Sequence, residues 1–176
     1  MIKAIRIHAN GGPDVLRFED HDIPPPAAGE ARVRQTAVGI NYSDINVRQG
    51  GFYIARPLKF PVILGNEAAG VIASVGPGVT DVKAGNRVGY AGMSAEFFEQ
   101  TGAYAEERNV PVERLLKLPA GVTEQQAAGM MVKGLTASLI INHVYSAVLM
   151  DIKEHDGEIS SIFSGYKYRL TIQKKK

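Results

Sequence analysis

Four short segments carry residue types that could do chemistry. The first is Gly65-Asn66-Glu67-Ala68-Ala69-Gly70, where a carboxylate follows a glycine turn inside an apolar run. A buried Glu so placed can orient a ligand or a metal-bound group. The alternative is a β-bulge in which Gly supplies a backbone conformation closed to other residues. The second is Asn41-Tyr42-Ser43-Asp44 at the end of a strand-like segment. Its Asn and Asp either cap a turn or exchange hydrogen bonds with a ligand at the strand end. The third, Gly50-Gly51-Phe52-Tyr53, is a glycine loop with two aromatics. It suits a flat, apolar substrate, or it anchors a loop to the core. The fourth is Lys133-Gly134-Leu135-Thr136 at an expected helix break. A Lys and a Thr beside free backbone N–H groups can hold an anionic group, or the Lys is a surface residue at a kink.

Other chemistries are excluded by what the chain lacks. With no cysteine there is no disulfide, no thiolate metal site and no cysteine nucleophile. His8, His21, His143 and His155 form no His-x-x-x-His pair. Neither Gly-x-Gly-x-x-Gly nor a Walker-A loop occurs. Gly76-Pro77-Gly78 reads as a turn between strands with no helix after it.

The elements that must position these segments follow from periodicity. Residues 2–8 alternate, a Gly11-Gly12-Pro13 turn follows, and Val15 to Glu19 reads as the second strand of a hairpin. Ala31 to Ile40 is a strand with Ala31, Val33, Gln35 and Ala37 on one face. Asn41 to Gln49 holds one helical turn. Pro61 to Val75, Asn86 to Ala91, Ala103 to Val110 and Leu115 to Leu118 supply further strands. Short strands punctuated by Gly and Pro through residue 118 imply a compact, mainly β barrel or sandwich rather than alternating βαβ units. At residue 123 the period changes. Thr123 with Gln126 is a capping box. Ala127, Met130, Met131, Leu135 and Leu139 then form an apolar stripe, so helix is expected from about 124 to 132 and, past a break at Gly134, to about 149. Beyond Asp151 only Tyr166 to Ile172 alternates like a strand.

The 176 residues carry 20 Lys and Arg against 18 Asp and Glu, a net charge of +2, with 45% hydrophobic and 22% charged residues. These values suit a globular chain. A chain of about 150 residues hides roughly 70% of its unfolded surface, so a core can form. Lys167 to Lys176 hold five cations and no acid, leaving 15 basic against 18 acidic residues in the body. The tail reads as a solvated terminus, and no aromatic–basic interleaving suggests a nucleic-acid partner. Lys3 and Arg6 interrupt the N-terminal apolar run, and Asn142, His143 and Ser146 interrupt Leu139 to Met150, so neither reads as a signal peptide or a membrane span. A cytoplasmic protein is expected.

Seven segments together resemble zinc-independent quinone oxidoreductases of the medium-chain dehydrogenase/reductase superfamily. They are the opening from Ile2 through Gly11-Gly12-Pro13-Asp14-Val15-Leu16, Val38 to Asp44, Arg48 to Tyr53, Gly65 to Ile72, Val82 to Val88, Gly102 to Glu107, and Lys133 to Ala137. They stand in family order over roughly residues 1–141. The resemblance implies a GroES-like β-barrel over 1–122 as catalytic domain, an interdomain-type helical segment over 123–150, and an unmatched basic tail over 151–176. The expected fold class is mainly β with α: the barrel, one or two helices, and a short irregular or β tail.

The resemblance further implies NADPH as cofactor and hydride transfer to a quinone or enone. Asn41, Tyr42, Asp44, Lys133 and Thr136 correspond to cofactor-facing positions, and Tyr53 and Asn66 to the substrate pocket. Zinc-binding relatives use a Cys and a His where Asn41 and Asn66 stand here, so no zinc is expected. Only 35 residues follow Ile141, too few for the two βαβαβ halves of a dinucleotide fold. The expectation is a chain without its Rossmann domain. Its alternative function is a non-catalytic binding or oligomerisation module, associating through Met130, Met131 and Leu135. The segment after Ile141 is left open between adaptation, frameshift and remnant.

Overall fold

A computed structural model describes residues 1–51, 58–92, 101–144, 159–163 and 166–170, the last two segments by their backbone. Phe52 and Tyr53, expected at a substrate pocket, lie outside these residues.

The chain opens with β1 (Ile2–Ile7) and β2 (Arg17–His21), paired antiparallel from Ile2 opposite His21 to Arg6 opposite Arg17. The second strand starts later than its apolar residues suggest, because Pro13–Val15 forms a single 3-10 turn. Proline fits the first position of such a turn, where its missing N–H costs nothing.

β3 (Glu30–Gly39) is the spine of the fold. It pairs with β5 (Glu67–Val75) along almost its full length, and with β7 (Glu107–Pro111) over its first half. Alternation places Ala31 and Val33 in the core at 0% exposure. α1 (Tyr42–Gln49) follows directly and makes two turns where one was expected. Gly50, in the left-handed conformation at φ 76°, closes it.

β4 (Val62–Ile63) pairs with β1, β6 (Arg87–Ala91) lies beside β5, and β8 (Leu116–Lys117) beside β6. The result is a three-stranded sheet in the order β2-β1-β4 and a five-stranded sheet in the order β7-β3-β5-β6-β8. A bridge between Ala4 and Ala105 joins the two. The expected mainly β architecture is present, but hydrogen bonding among the described strands does not close into a continuous barrel. Ala31, Val33, Ala68, Ile72, Val88, Tyr90 and Val110 fill the main core, and Ile7, Val47 and Leu64 pack a second one.

α2 (Glu124–Leu139) begins as the capping box requires. The Gln126 N–H donates to Thr123 Oγ1 at 3.2 Å, and the Thr123 N–H donates to Gln126 Oε1 at 2.9 Å. Arg87 Nε donates to Glu124 Oε1 at 2.7 Å and pins the helix start to β6. Buried Ala127 and Ala128 pack with Ala69 of β5.

The expected break at Gly134 does not occur. A glycine costs only about 1 kcal/mol against Ala in a helix and removes no hydrogen bond, so α2 runs through Gly134 as it does through Gly129. Lys133 and Thr136 therefore sit within continuous helix, and the backbone N–H beside Lys133, that of Val132, donates to the Glu67 carboxylate. Residues Ile140–Val144 continue as a π-helical turn. Met130 and Leu135 are exposed, whereas Met131 is half-buried.

The chain divides into two compact units, Met1–Lys133 and Gly134–Lys176. In the second, β9 (Ile159–Phe163) pairs antiparallel with β10 (Tyr166–Leu170), from Tyr166 opposite Phe163 to Leu170 opposite Ile159. No helix among the described residues is long and apolar enough to cross a membrane.

Candidate functional site

Two carboxylates are buried within the first unit, near the end of β3. Glu67 is the first residue of β5, and Asp44 lies in the first turn of α1. Glu67 is 0% exposed and Asp44 3%. Buried charges persist only when hydrogen-bonded or paired, and each of these is.

Glu67 gathers three donors from two distant parts of the chain. Lys133 Nζ donates to its Oε1 at 2.6 Å, and Asn41 Nδ2 to the same oxygen at 2.9 Å. The Val132 N–H donates to Oε2 at 2.6 Å. Lys133 Nζ also donates to Asn41 Oδ1 at 2.8 Å, closing a triangle of Lys, Glu and Asn. β3, β5 and α2 thus meet at one side-chain cluster.

Asp44 gathers another three. The Asn41 backbone N–H and the Tyr104 hydroxyl each donate to its Oδ2 at 2.9 Å. Asn66 Nδ2 donates to Oδ1 at 3.0 Å and lies 3.5 Å from Ser43 Oγ. This orientation leaves Asn66 Oδ1 buried without a hydrogen-bond partner. Asn41 serves both carboxylates, one through its backbone and one through its amide.

Two glycines permit this packing. Gly65 has φ 95°, a region that disfavours side chains, and a Cβ there would meet Tyr104 Cδ1 at 2.4 Å. Gly39 lets α2 and Glu67 close onto the end of β3.

The electrostatics follow from burial. Desolvation pushes the Asp44 carboxyl above its ordinary value of 3.8, and the Glu67 charge adds to the rise. Hydrogen bonds from Asn41, Tyr104 and Asn66 oppose it without cancelling it. Burial, followed by the Asp44 charge, also raises the Tyr104 phenol above its usual range. Folded Asp44 therefore holds its proton more tightly than unfolded Asp44 does. The stability this gives is complete below the unfolded value and is lost as pH rises through the folded one. Urea unfolding at a series of pH values should show the wild-type advantage over Asp44→Asn shrinking from below about pH 3.8 towards neutrality. A constant or growing difference would contradict this assignment.

Of the residues expected at the site, Asn41, Asp44, Asn66 and Lys133 come together. Tyr42 stands beside them in sequence and is 74% exposed. Thr136 follows in the part of α2 that belongs to the second unit. Two central residues were not among those expected to bind. Glu67 carried a signal, since a carboxylate embedded in an apolar run needs a partner. Tyr104 carried none, because its contact with Asp44 spans 60 residues. Tyr104 also lines a groove of about 350 Å³ with Ile5, Phe18, Val38 and Ile40. Among the described residues, no group of three or more His, Asp or Glu is placed to hold a metal ion.

A mainly β domain whose buried carboxylates lock the following helix is the class that this fold and site define. Residues 27–120 match the alcohol dehydrogenase GroES-like domain, and the chain belongs to that family. A 2-haloacrylate reductase from a Burkholderia species is 37% identical over 150 residues, and the quinone oxidoreductase of Pseudomonas aeruginosa 40% over 145. Each match covers 82% of this chain and 42% of the relative. The crystal structure of Escherichia coli quinone oxidoreductase complexed with NADPH superposes with a TM-score of 0.72 at 36% identity. That match covers 81% of this chain and 41% of the other. The chain thus spans about two fifths of the length of these relatives.

Proposed function

We propose that this chain is the acceptor-binding part of an NADPH-dependent reductase, delivering hydride to a quinone or enone. The observation that carries the reading is the Lys133–Glu67–Asn41 triangle. It sets a half-exposed ammonium against Asn41 at the end of β3, and the next residue in sequence, Tyr42, is exposed. Relatives that are quinone oxidoreductases, one of them solved with NADPH, support it.

The donor set fits a nicotinamide cofactor. Lys133 offers a cation to an anionic dinucleotide, Tyr42 offers an aromatic face, and Asn66 Oδ1 is an unsatisfied acceptor suited to an amide or hydroxyl donor. Asn41, Tyr42 and Lys133 would hold the nicotinamide side, and Asp44 would fix Asn41 and Asn66 through their hydrogen bonds. When bound, the cofactor supplies a hydride. The protein contributes position: strand, helix and carboxylates hold the polar groups at fixed distances, so little ordering remains to be done on binding.

Titration of NADPH fluorescence with the 176-residue chain tests the reading. Saturable enhancement of nicotinamide emission is expected, with a dissociation constant on the order of millimolar, a free energy near 4 kcal/mol. Unchanged emission at millimolar protein overturns it. It would favour a non-catalytic binding or oligomerisation module, to which the exposed Met130 and Leu135 of α2 are suited.

A further inference from the structure

Lysine carries three N–H donors. Two of those on Lys133 are committed, one to Glu67 Oε1 at 2.6 Å and one to Asn41 Oδ1 at 2.8 Å. The third has no protein acceptor among the described residues, and the Lys133 side chain is 53% exposed while that of Glu67 is 0% exposed. The pair is therefore an oriented dipole, with its negative end inside the protein and its positive end towards solvent. Its two fixed bonds hold the ammonium in one place, which a free surface lysine would not achieve. Such a donor stabilises negative charge that develops on an oxygen in front of it, with no further cost of reorientation.

We infer that Lys133 is a catalytic residue: its third N–H donates to the carbonyl oxygen of the acceptor and stabilises the oxyanion formed on reduction. The inference deepens the reductase reading and rests on it. Two electrons arrive as hydride, from a dihydronicotinamide that is itself oxidised, at the carbon β to the carbonyl. The C=C pair moves into the bond between the α-carbon and the carbonyl carbon, and the C=O pair moves onto oxygen. Lys133 donates to that oxygen without giving up its proton. For an enone, a proton from water at the α-carbon then gives the saturated carbonyl compound. For a quinone, the carbon that took the hydride loses one proton to water and both oxygens are protonated, a net uptake of one proton that gives the hydroquinone. The acceptor class follows: a conjugated carbonyl whose oxygen can reach Lys133, rather than an isolated alkene or an alcohol.

A chromogenic phenol tests this without cofactor or turnover. 4-Nitrophenol reports its own ionisation by absorbance, and its phenolate oxygen mimics the product oxyanion. Bound to the wild-type chain, its phenolate-to-phenol ratio should exceed that in buffer at the same pH by about tenfold, the effect of one charge-assisted hydrogen bond. Lys133→Arg should retain most of the increase, and Lys133→Gln should lose it. Urea unfolding of each variant separates this from loss of structure. A ratio equal to that in buffer, or no binding of the phenol to the wild-type chain, overturns the inference whatever the variants do. Equal ratios in folded wild-type and Lys133→Gln proteins overturn it as well. Loss of the phenolate effect alongside intact NADPH binding would remove the role of Lys133 and leave the reductase reading standing. The reverse result would overturn the cofactor reading and, with it, the catalytic role, leaving Lys133 as an oxyanion-binding group only.

Discussion

Gly39→Ala is expected to lower the unfolding free energy by about 3 kcal/mol, the upper part of the range for overpacking a filled site. Gly39 is buried at the end of β3. A Cβ there would stand 2.2 Å from the carbonyl oxygen of Ala128, and 2.3 and 2.4 Å from Glu67 Oε1 and Cγ. Relief requires α2 to move away from β3, or Glu67 to leave its three donors. Neither is a small adjustment, because Ala127 and Ala128 are packed with Ala69, and Glu67 has no solvent to turn into. Urea unfolding would measure the loss. If α2 moves, 4-nitrophenol ionisation should fall towards the Lys133→Gln level in the same variant. A stability change below about 1 kcal/mol would show that the helix end is not tightly seated on β3.

Glu67→Gln is expected to cost about 2–3 kcal/mol. Breaking a fully buried ion pair costs roughly 3–5 kcal/mol, but the half-exposed Lys133 recovers some hydration, so the cost falls at or below the bottom of that range. Gln offers one acceptor oxygen and two donor hydrogens where the native carboxylate accepts from Lys133, Asn41 and Val132. One donor at least must face an amide N–H. Thermal or urea unfolding measures the cost. Removing the carboxylate also frees Lys133 from its anchor, so the phenolate effect should weaken although the ammonium remains. A variant as stable as wild type, with unchanged phenolate binding, would mean that Glu67 neither secures the helix nor positions Lys133.

These two sites mark how much of the molecule could be read from its sequence. Strand positions followed from alternation, as in Ala31 and Val33 of β3, and punctuation by Gly and Pro placed most turns. Thr123 and Gln126 announced the start of α2, because a capping box is satisfied within four residues. The same local reasoning failed at Gly134, where glycine's intrinsic cost was outweighed by the helix on either side. It also began β2 too early, at Val15, where Pro13 sets a 3-10 turn.

The amino-acid sequence by itself determined the mainly β class, the single helix-forming stripe after residue 123, and the presence of polar groups at the end of β3. Those features depend on period, propensity and capping among neighbouring residues. Tertiary structure decided which polar groups share a site. Glu67 meets Asn41 across 26 residues and Lys133 across 66, and Asp44 meets Tyr104 across 60. Such pairs are fixed by strand register and by how closely α2 approaches β3, which no local pattern encodes. Desolvation then gave the carboxylates their chemistry. A charge that would be unremarked on a surface must find partners once packing removes its water.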